Sequence, residues 1–262
     1  LQGNNIIPLE REYFTLDDRE FSSRLKNAEV VIHLSGAPII TRWTSKKRKE
    51  IYESRVYTTR RITGAMKFME KPPHTFICAS ASGIYSSNGV HDESSTDFAE
   101  NFLGKLCRDW EAAAANTPDN CRSIMLRFGI ILGKEGGALR QMLPFFSLGL
   151  GGPIAGGRQK MPWIHIEDVM AATSFIMNND KIAGPVNLCS PEVINNREFT
   201  ATLAKQLSRP AFFPIPSFAL KAAFGGGSIV LSEGQHIIPA KLEAHQYSFR
   251  FPKLKDALRD LL

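Results

Sequence analysis

The sequence holds little cysteine, and what it holds is spaced for neither a metal nor a redox pair. Its four thiols stand at positions 78, 107, 121 and 189, with no C-x-x-C among them. That excludes a disulfide scaffold and points to reduced, buried thiols in a cytoplasmic protein. Long apolar runs are missing too. The least charged stretch, 142–157, is interrupted by Pro144, Pro153 and glycines at 149, 151, 152, 156 and 157. It falls short of the ~20 residues that span a bilayer, and no signal-peptide pattern is visible, so no membrane partner is expected. Charge of one sign is also thin. The net charge is +6, yet the single basic run, Lys46-Lys47-Arg48-Lys49, is followed by Glu50 and has no interleaved aromatics to stack bases. It reads as a solvated helix face, and no nucleic-acid partner is expected. The modest basic surplus suits an anionic small ligand such as a nucleotide.

What is present is an ordinary globular chain of 262 residues, 43% hydrophobic and 22% charged, long enough for one large α/β domain with an appendage. The opening LQGNNIIPLER reads as the tail of a helix, a Gly3-Asn4 turn and a buried strand, Ile6–Leu9. We therefore expect a preceding strand–loop–helix unit of ~30 residues, where a glycine-rich phosphate loop would lie. A polar segment over 12–27 follows, with Thr15 the expected N-cap of a short helix. Then come an apolar strand at 30–36, a long polar helix over 44–70 stopped by Pro72-Pro73, a strand at 74–82, a helix over 101–116 and a strand at 122–132. Strands apolar on both faces belong to parallel sheets covered on both sides. The order predicts a Rossmann-type doubly wound α/β sheet over residues 1–150, with ligands beyond the carboxyl ends of the strands. From about residue 151 a glycine-rich loop and a proline-punctuated tail predict a smaller C-terminal lobe on the substrate side. Val186–Cys189 is a candidate to return to the main sheet.

The fragments HLSGAPI, RW-x(6)-E-x(4)-SR-x-x-TT, LRFGIILGKEGGAL, LGLGGPIAGGRQKMPWIHIEDV and GSIVLSEGQHIIPAKL, in that order, resemble the extended short-chain dehydrogenase/reductases. More narrowly they resemble the epimerase-family group of sugar-nucleotide epimerases with a distinctive C-terminal domain. The resemblance implies a Rossmann core, a nicotinamide cofactor, oxidoreductase or epimerase activity, and a small anionic or nucleotide-sugar substrate. It is also compatible with a homodimer. Fold fixes neither activity nor ligand.

The resemblance points to particular residues. Glu10 and Arg11 follow the first strand, where an acid favours the ribose of NAD and an arginine the 2′-phosphate of NADP. The family pattern places arginine here, which favours NADP over NAD. Leu34, Ser35 and Gly36 end the next strand, where small residues admit a close backbone approach. Glu50 and Arg55 match the W…E…SR pattern and are expected near the cofactor, although on composition alone they read as solvated helix charges. In CASASGIYSS the catalytic hydroxyl position is Ala81. Ser80 is a candidate cofactor contact, although by strand alternation Ser80 and Ser82 should point away from the face of Ala81 unless a turn starts early. Tyr85 is open to two readings, a substitute acid or a buried loop anchor.

The tyrosine of the family's Tyr-x-x-x-Lys pair is Asn101, with Lys105 in place. An amide does not titrate and cannot be a general acid. On one helix face, Asn101 would be a polar contact near the nicotinamide and Lys105 a ribose ligand. Phe128 would line the nicotinamide. His165 and Asp168, in WIHIED, read as supporting hydrogen bonds and a helix cap, and no metal site is expected. Loss of the acid leaves a rival reading: a catalytically silent NADP(H)-binding sensor.

Overall fold

The apolar runs VVIH, TFICASA, RSIMLRF and GPVNL become the four strands of one parallel sheet, as chains buried on both faces do. The computed structural model describes residues 5–262. In chain order its elements are α1 (Asp18–Arg24), β1 (Val30–His33), α2 (Ser45–Tyr52), α3 (Thr58–Met66), β2 (Thr75–Ala81), β3 (Val90–His91), α4 (Phe102–Ala115), β4 (Arg122–Phe128) and β5 (Ile130–Leu132). There follow α5 (Gly137–Ser147), β6 (Trp163–His165), α6 (Ile166–Met177), β7 (Gly184–Leu188), α7 (Asn196–Gln206), α8 (Ser217–Phe224), α9 (Ile229–Ser232), β8 (His236–Ile237), α10 (Ala240–Ala244) and α11 (Leu254–Leu261). The main sheet runs β1-β2-β4-β7, so the segment at 184–188 does return to it. Two short parallel pairs, β3 with β8 and β5 with β6, extend the strand ends. A smaller helical lobe, α8–α11, completes the chain.

Three apolar clusters hold these layers. One face of the sheet packs Phe76, Cys78 and Val31 against Phe21, Ile51, Ile62, Met66, Leu106 and Trp110. The other packs Ile77, Ile124, Leu126 and Val186 against Ala172, Ile176 and Leu242. A third cluster joins Leu132, Leu139 and Trp163 to Phe199, Leu203, Leu258 and Leu261. Among the described residues, no helix is long and apolar enough to cross a membrane, and no cluster of histidine, cysteine and carboxylate could hold a metal.

Several local expectations are corrected. The helix tail and turn expected over residues 1–4 lie outside the described residues. Ile6–Leu9 is not a strand: Ile6 and Ile7 are 68% and 66% exposed, and the segment joins no sheet. A parallel strand needs a hydrogen-bonded neighbour and covered faces, and this segment has neither. Asp17, not Thr15, caps α1, accepting from the Arg19 and Glu20 amides, while Thr15 closes a 3₁₀ turn over Arg11–Thr15. The long helix over 44–70 starts at its Thr44 cap and ends at Met66, but Glu53–Tyr57 interrupts it as a π turn. The strand expected at 122–132 breaks at Gly129, whose amide donates to Leu188 O at 3.0 Å. A Cβ there would stand 2.8 Å from the Pro162 carbonyl oxygen, so only glycine admits β6 this close.

Candidate functional site

The carboxyl ends of β1, β2 and β4 carry Leu34–Gly36, Ala81–Ser82 and Phe128–Gly129, and together these strand ends are the mouth of the sheet. Leu34 is 60% exposed, unusual for a leucine ending a buried strand. Ser35 Oγ lies 3.3 Å from His33 Nδ1. His33 itself is buried; burial first, and the Arg55 charge second, push its pKa down to about 4, so it stays neutral.

Arg55 projects from the π turn, a geometry often kept at functional sites because it re-aims one side chain within a helix. Its Nη1 donates to the carbonyls of Ala37 at 3.0 Å and Ile51 at 3.3 Å, and its guanidinium lies 5.4 Å from the centroid of Trp110. No carboxylate among the described residues pairs with it, and burial lowers its pKa. Gly36 is fitted to this side chain, since a Cβ there would stand 2.7 Å from the guanidinium carbon. A half-buried cation served only by neutral carbonyls keeps donors for an anion.

One residue below the mouth lies a buried polar rung. Ser80, Arg127 and Asn187 are register partners across β2, β4 and β7. Arg127 makes a two-pronged ion pair with Glu111 of α4, Nε to Oε1 at 2.8 Å and Nη2 to Oε2 at 2.7 Å. Ser80 Oγ donates to Glu111 Oε1 at 2.6 Å. Burial would lower the arginine's pKa, but the carboxylate beside it raises the net value. Arg127 Nη1 also donates to the Tyr85 oxygen at 2.6 Å. The phenol proton is then shared between Asn187 Oδ1 and the Asp92 carbonyl, each at 2.9 Å. Tyr85 has no exposed surface and stacks on His91, and burial pushes its pKa up to about 12. Asn187 in turn donates its amide to Glu93 Oε1 at 2.9 Å and its side chain to Ile238 O at 2.9 Å.

The sequence-predicted residues therefore separate. Leu34, Ser35, Gly36, Arg55 and Phe128 gather around the strand ends, Phe128 packing between two core clusters. Ser80 points into the rung, as alternation requires. Ser82 opens a 3₁₀ turn over Ser82–Ile84 directly after Ala81, so the turn does start early and strand alternation does not govern it. Asn101 is not on a helix face with Lys105. It is the N-cap of α4, with extended backbone, and its Oδ1 accepts from the Leu103 and Gly104 amides at 2.9 and 3.1 Å. Asparagine is a favoured cap because a short side-chain oxygen reaches these otherwise unpaired donors. Lys105 is exposed on the first turn. Glu50 is exposed and paired with Lys47 at 2.9 Å. Glu10 and Arg11 are exposed, Glu10 opening the 3₁₀ turn. His165 caps α6 through Nδ1, and buried Asp168 accepts from the Arg250 and Phe251 amides. The rung was missed as a unit; its one sequence signal is an arginine, Arg127, inside an otherwise apolar strand.

The chain is similar to several known proteins. Residues 8–189 match the NAD dependent epimerase/dehydratase family, and residues 215–261 match a domain of unknown function, DUF1731. The epimerase family protein SDR39U1 of Mus musculus is 37% identical over 92% of this chain and 84% of that protein. The epimerase family protein YfhF of Bacillus subtilis is 33% identical over 91% and 79%. The crystal structure of human SDR39U1 with NADPH superposes with a TM-score of 0.87 at 34% identity, covering 92% of this chain and 85% of that one. A UDP-glucuronic acid 4-epimerase from Bacillus cereus, at 18% identity and a TM-score of 0.76, shares the fold. On the residues matched and the identity to these relatives, the chain belongs to the NAD dependent epimerase/dehydratase family.

Proposed function

We propose that this chain binds NADP(H) at the carboxyl ends of β1, β2 and β4 and acts as an oxidoreductase or epimerase on a small anionic or nucleotide-linked substrate. The observation that carries the reading is Arg55, a half-buried cation with no carboxylate partner among the described residues, set against Gly36 at the strand ends. The relative crystallised with NADPH supports the choice of NADP(H) over NAD. The cofactor supplies the hydride; the chain's residues bind, orient and exclude water. Arg55 offers charge-assisted hydrogen bonds to phosphate, Leu34–Gly36 allow close approach, and Phe128 and Ala81 flank the nicotinamide. Lys105 reaches the ribose, and Glu10 and Arg11 lie toward the adenosine end.

Proton transfer follows a different route from the tyrosine of related enzymes. Asn101 is engaged as a cap and Tyr85 is held in the rung, so Ser82, a substrate group or water handles the proton. The same two engagements favour a second reading, an NADP(H)-binding sensor without turnover. Absorbance at the nicotinamide band, with NADPH and a panel of keto-sugars and aldehydes, separates the two. Substrate-dependent oxidation that survives Tyr85→Phe and falls in Ser82→Ala supports the enzyme. Micromolar NADPH binding with no oxidation supports the sensor, and no NADPH binding overturns both.

A further inference from the structure

The segment 216–234 carries α8 and α9 of the C-terminal lobe, and both its stems are pinned. At the first stem Phe213 N donates to Gly151 O at 3.3 Å, Ile215 N to Pro153 O at 3.0 Å, and Ala155 N to Ile215 O at 2.9 Å. At the second, Gly234 lies so close to Lys160 that a Cβ would stand 1.7 Å from the Lys160 carbonyl oxygen. Beyond it β8 pairs with β3, and Ile238 is bound to Asn187 of the rung. Between the stems the tip crosses to the segment that follows β1. Trp43 N donates to Phe224 O at 3.3 Å, and Arg42 Nη1 to Ala222 O at 3.1 Å. Three consecutive glycines, 225–227, form the contact. A Cβ on Gly227 would stand 2.2 Å from Thr41 O, and one on Gly226 would stand 2.8 Å from Arg48 Nη2. Arg48 lies over the rings of Trp43 and Phe102, and Ile229 and Val230 pack beside them.

The segment thus touches the chain after β1 at its tip and reaches the chain after β2, through β3, at its second stem. Those are the borders of the mouth that holds Arg55. The stems are tied by repeated backbone bonds and by the buried rung, whereas the tip is held by the two hydrogen bonds from Trp43 and Arg42, by Ile229 and Val230 against the cluster of Trp43, and by a backbone approach open only to glycine. With no ladder or buried ion pair at the tip among the described residues, the tip is the end that opens first.

We propose that residues 216–234 are a flap over the ligand cleft, latched by Gly225–Gly227 on Thr41, Trp43 and Arg48, and that unlatching limits cofactor release. This assigns a role to the matched domain of unknown function, and it rests on the reading that the cleft binds NADP(H). Lids of this kind set release rates because ligand leaves only from the open state.

The test is stopped-flow displacement of NADPH from the full chain, with thermal melts as a folding control. Gly227→Val drives a side chain into the Thr41 carbonyl and should raise the release rate about 10-fold, the equivalent of ~1.4 kcal/mol. Arg48→Ala, at an exposed position, should raise it about threefold, and decides the matter should the valine variant not fold. NADPH bound by the unaltered chain, with the same release rate in folded variants, overturns the latch alone. Failure of the unaltered chain to bind NADPH overturns the cleft reading and the latch with it.

Discussion

Successive levels of the same sheet end are built by opposite rules. At the rung of Ser80, Arg127 and Asn187, each charged or hydroxyl group meets a partner from another element: Glu111 from α4, Tyr85 from the segment after β2 and Glu93 from the loop after β3. One residue on, Ala81 and Phe128 present no titratable group, and beyond them Arg55 is served by carbonyls alone while Leu34 stands in solvent. A buried charge left unpaired costs several kcal/mol, so an incomplete rung weakens the fold. The mouth is half-exposed and can leave a cation unpaired at small cost. Complete polar networks hold a fold in place, and incomplete ones at a strand end are where a ligand can supply the missing partner.

The contrast can be broken at either level. Glu111→Ala strands Arg127 in the interior and should cost about 3–5 kcal/mol of stability, read by urea unfolding. Combining it with Arg127→Met should recover part of that loss, because the orphaned charge is gone. Acid should act through His33. Its folded-state pKa of about 4 lies below the ordinary 6.5, so the unfolded chain takes up the proton first. The stability His33 permits is whole above about pH 6.5 and falls as the pH drops toward 4, by roughly 3 kcal/mol over that interval. His33→Phe should flatten that part of the stability-pH curve; an unchanged slope would show that other groups set it.

At the mouth the expected effect is on binding rather than folding. Arg55→Met should weaken NADPH about 10- to 100-fold in a fluorescence titration, the size of a lost charge-assisted hydrogen bond, and shift stability by less than ~1 kcal/mol. Equal affinity would remove Arg55 from the site. The smallest change is at the cap: Asn101→Ala should cost about 1 kcal/mol of stability, with NADPH affinity unaltered. A large loss of affinity without loss of stability would return Asn101 to the nicotinamide.

Much of the fold was legible in the chain itself. Runs apolar on both faces, alternating with helices, required a covered parallel sheet, and the runs at 30–36, 74–82 and 122–132 each hold one of its strands, which end earlier, at His33, Ala81 and Phe128. The start of the polar helix at Thr44 was readable from the run that begins there, whereas Glu50, expected near the cofactor, stands exposed and paired with Lys47. The readings that failed were those in which a local pattern had more than one solution. Asn101 and Lys105 have the spacing of one helix face, but an asparagine just before an apolar helix is equally a cap, and the backbone enters α4 one residue later.

What the sequence by itself determined, then, was the parallel sheet, the position of its mouth and the absence of a titratable acid at 101, all set by periodicity and residue chemistry over short spans. Only the tertiary structure decided the fate of the polar side chains. Arg127 meets Glu111 across 16 residues, Tyr85 meets Asn187 across 102, and the glycines at 225–227 meet Thr41 and Arg48 from the far end of the chain. Hydrogen bonds form over about 3 Å whatever the sequence separation, so the partner of a buried polar group is fixed by packing, which no local pattern encodes.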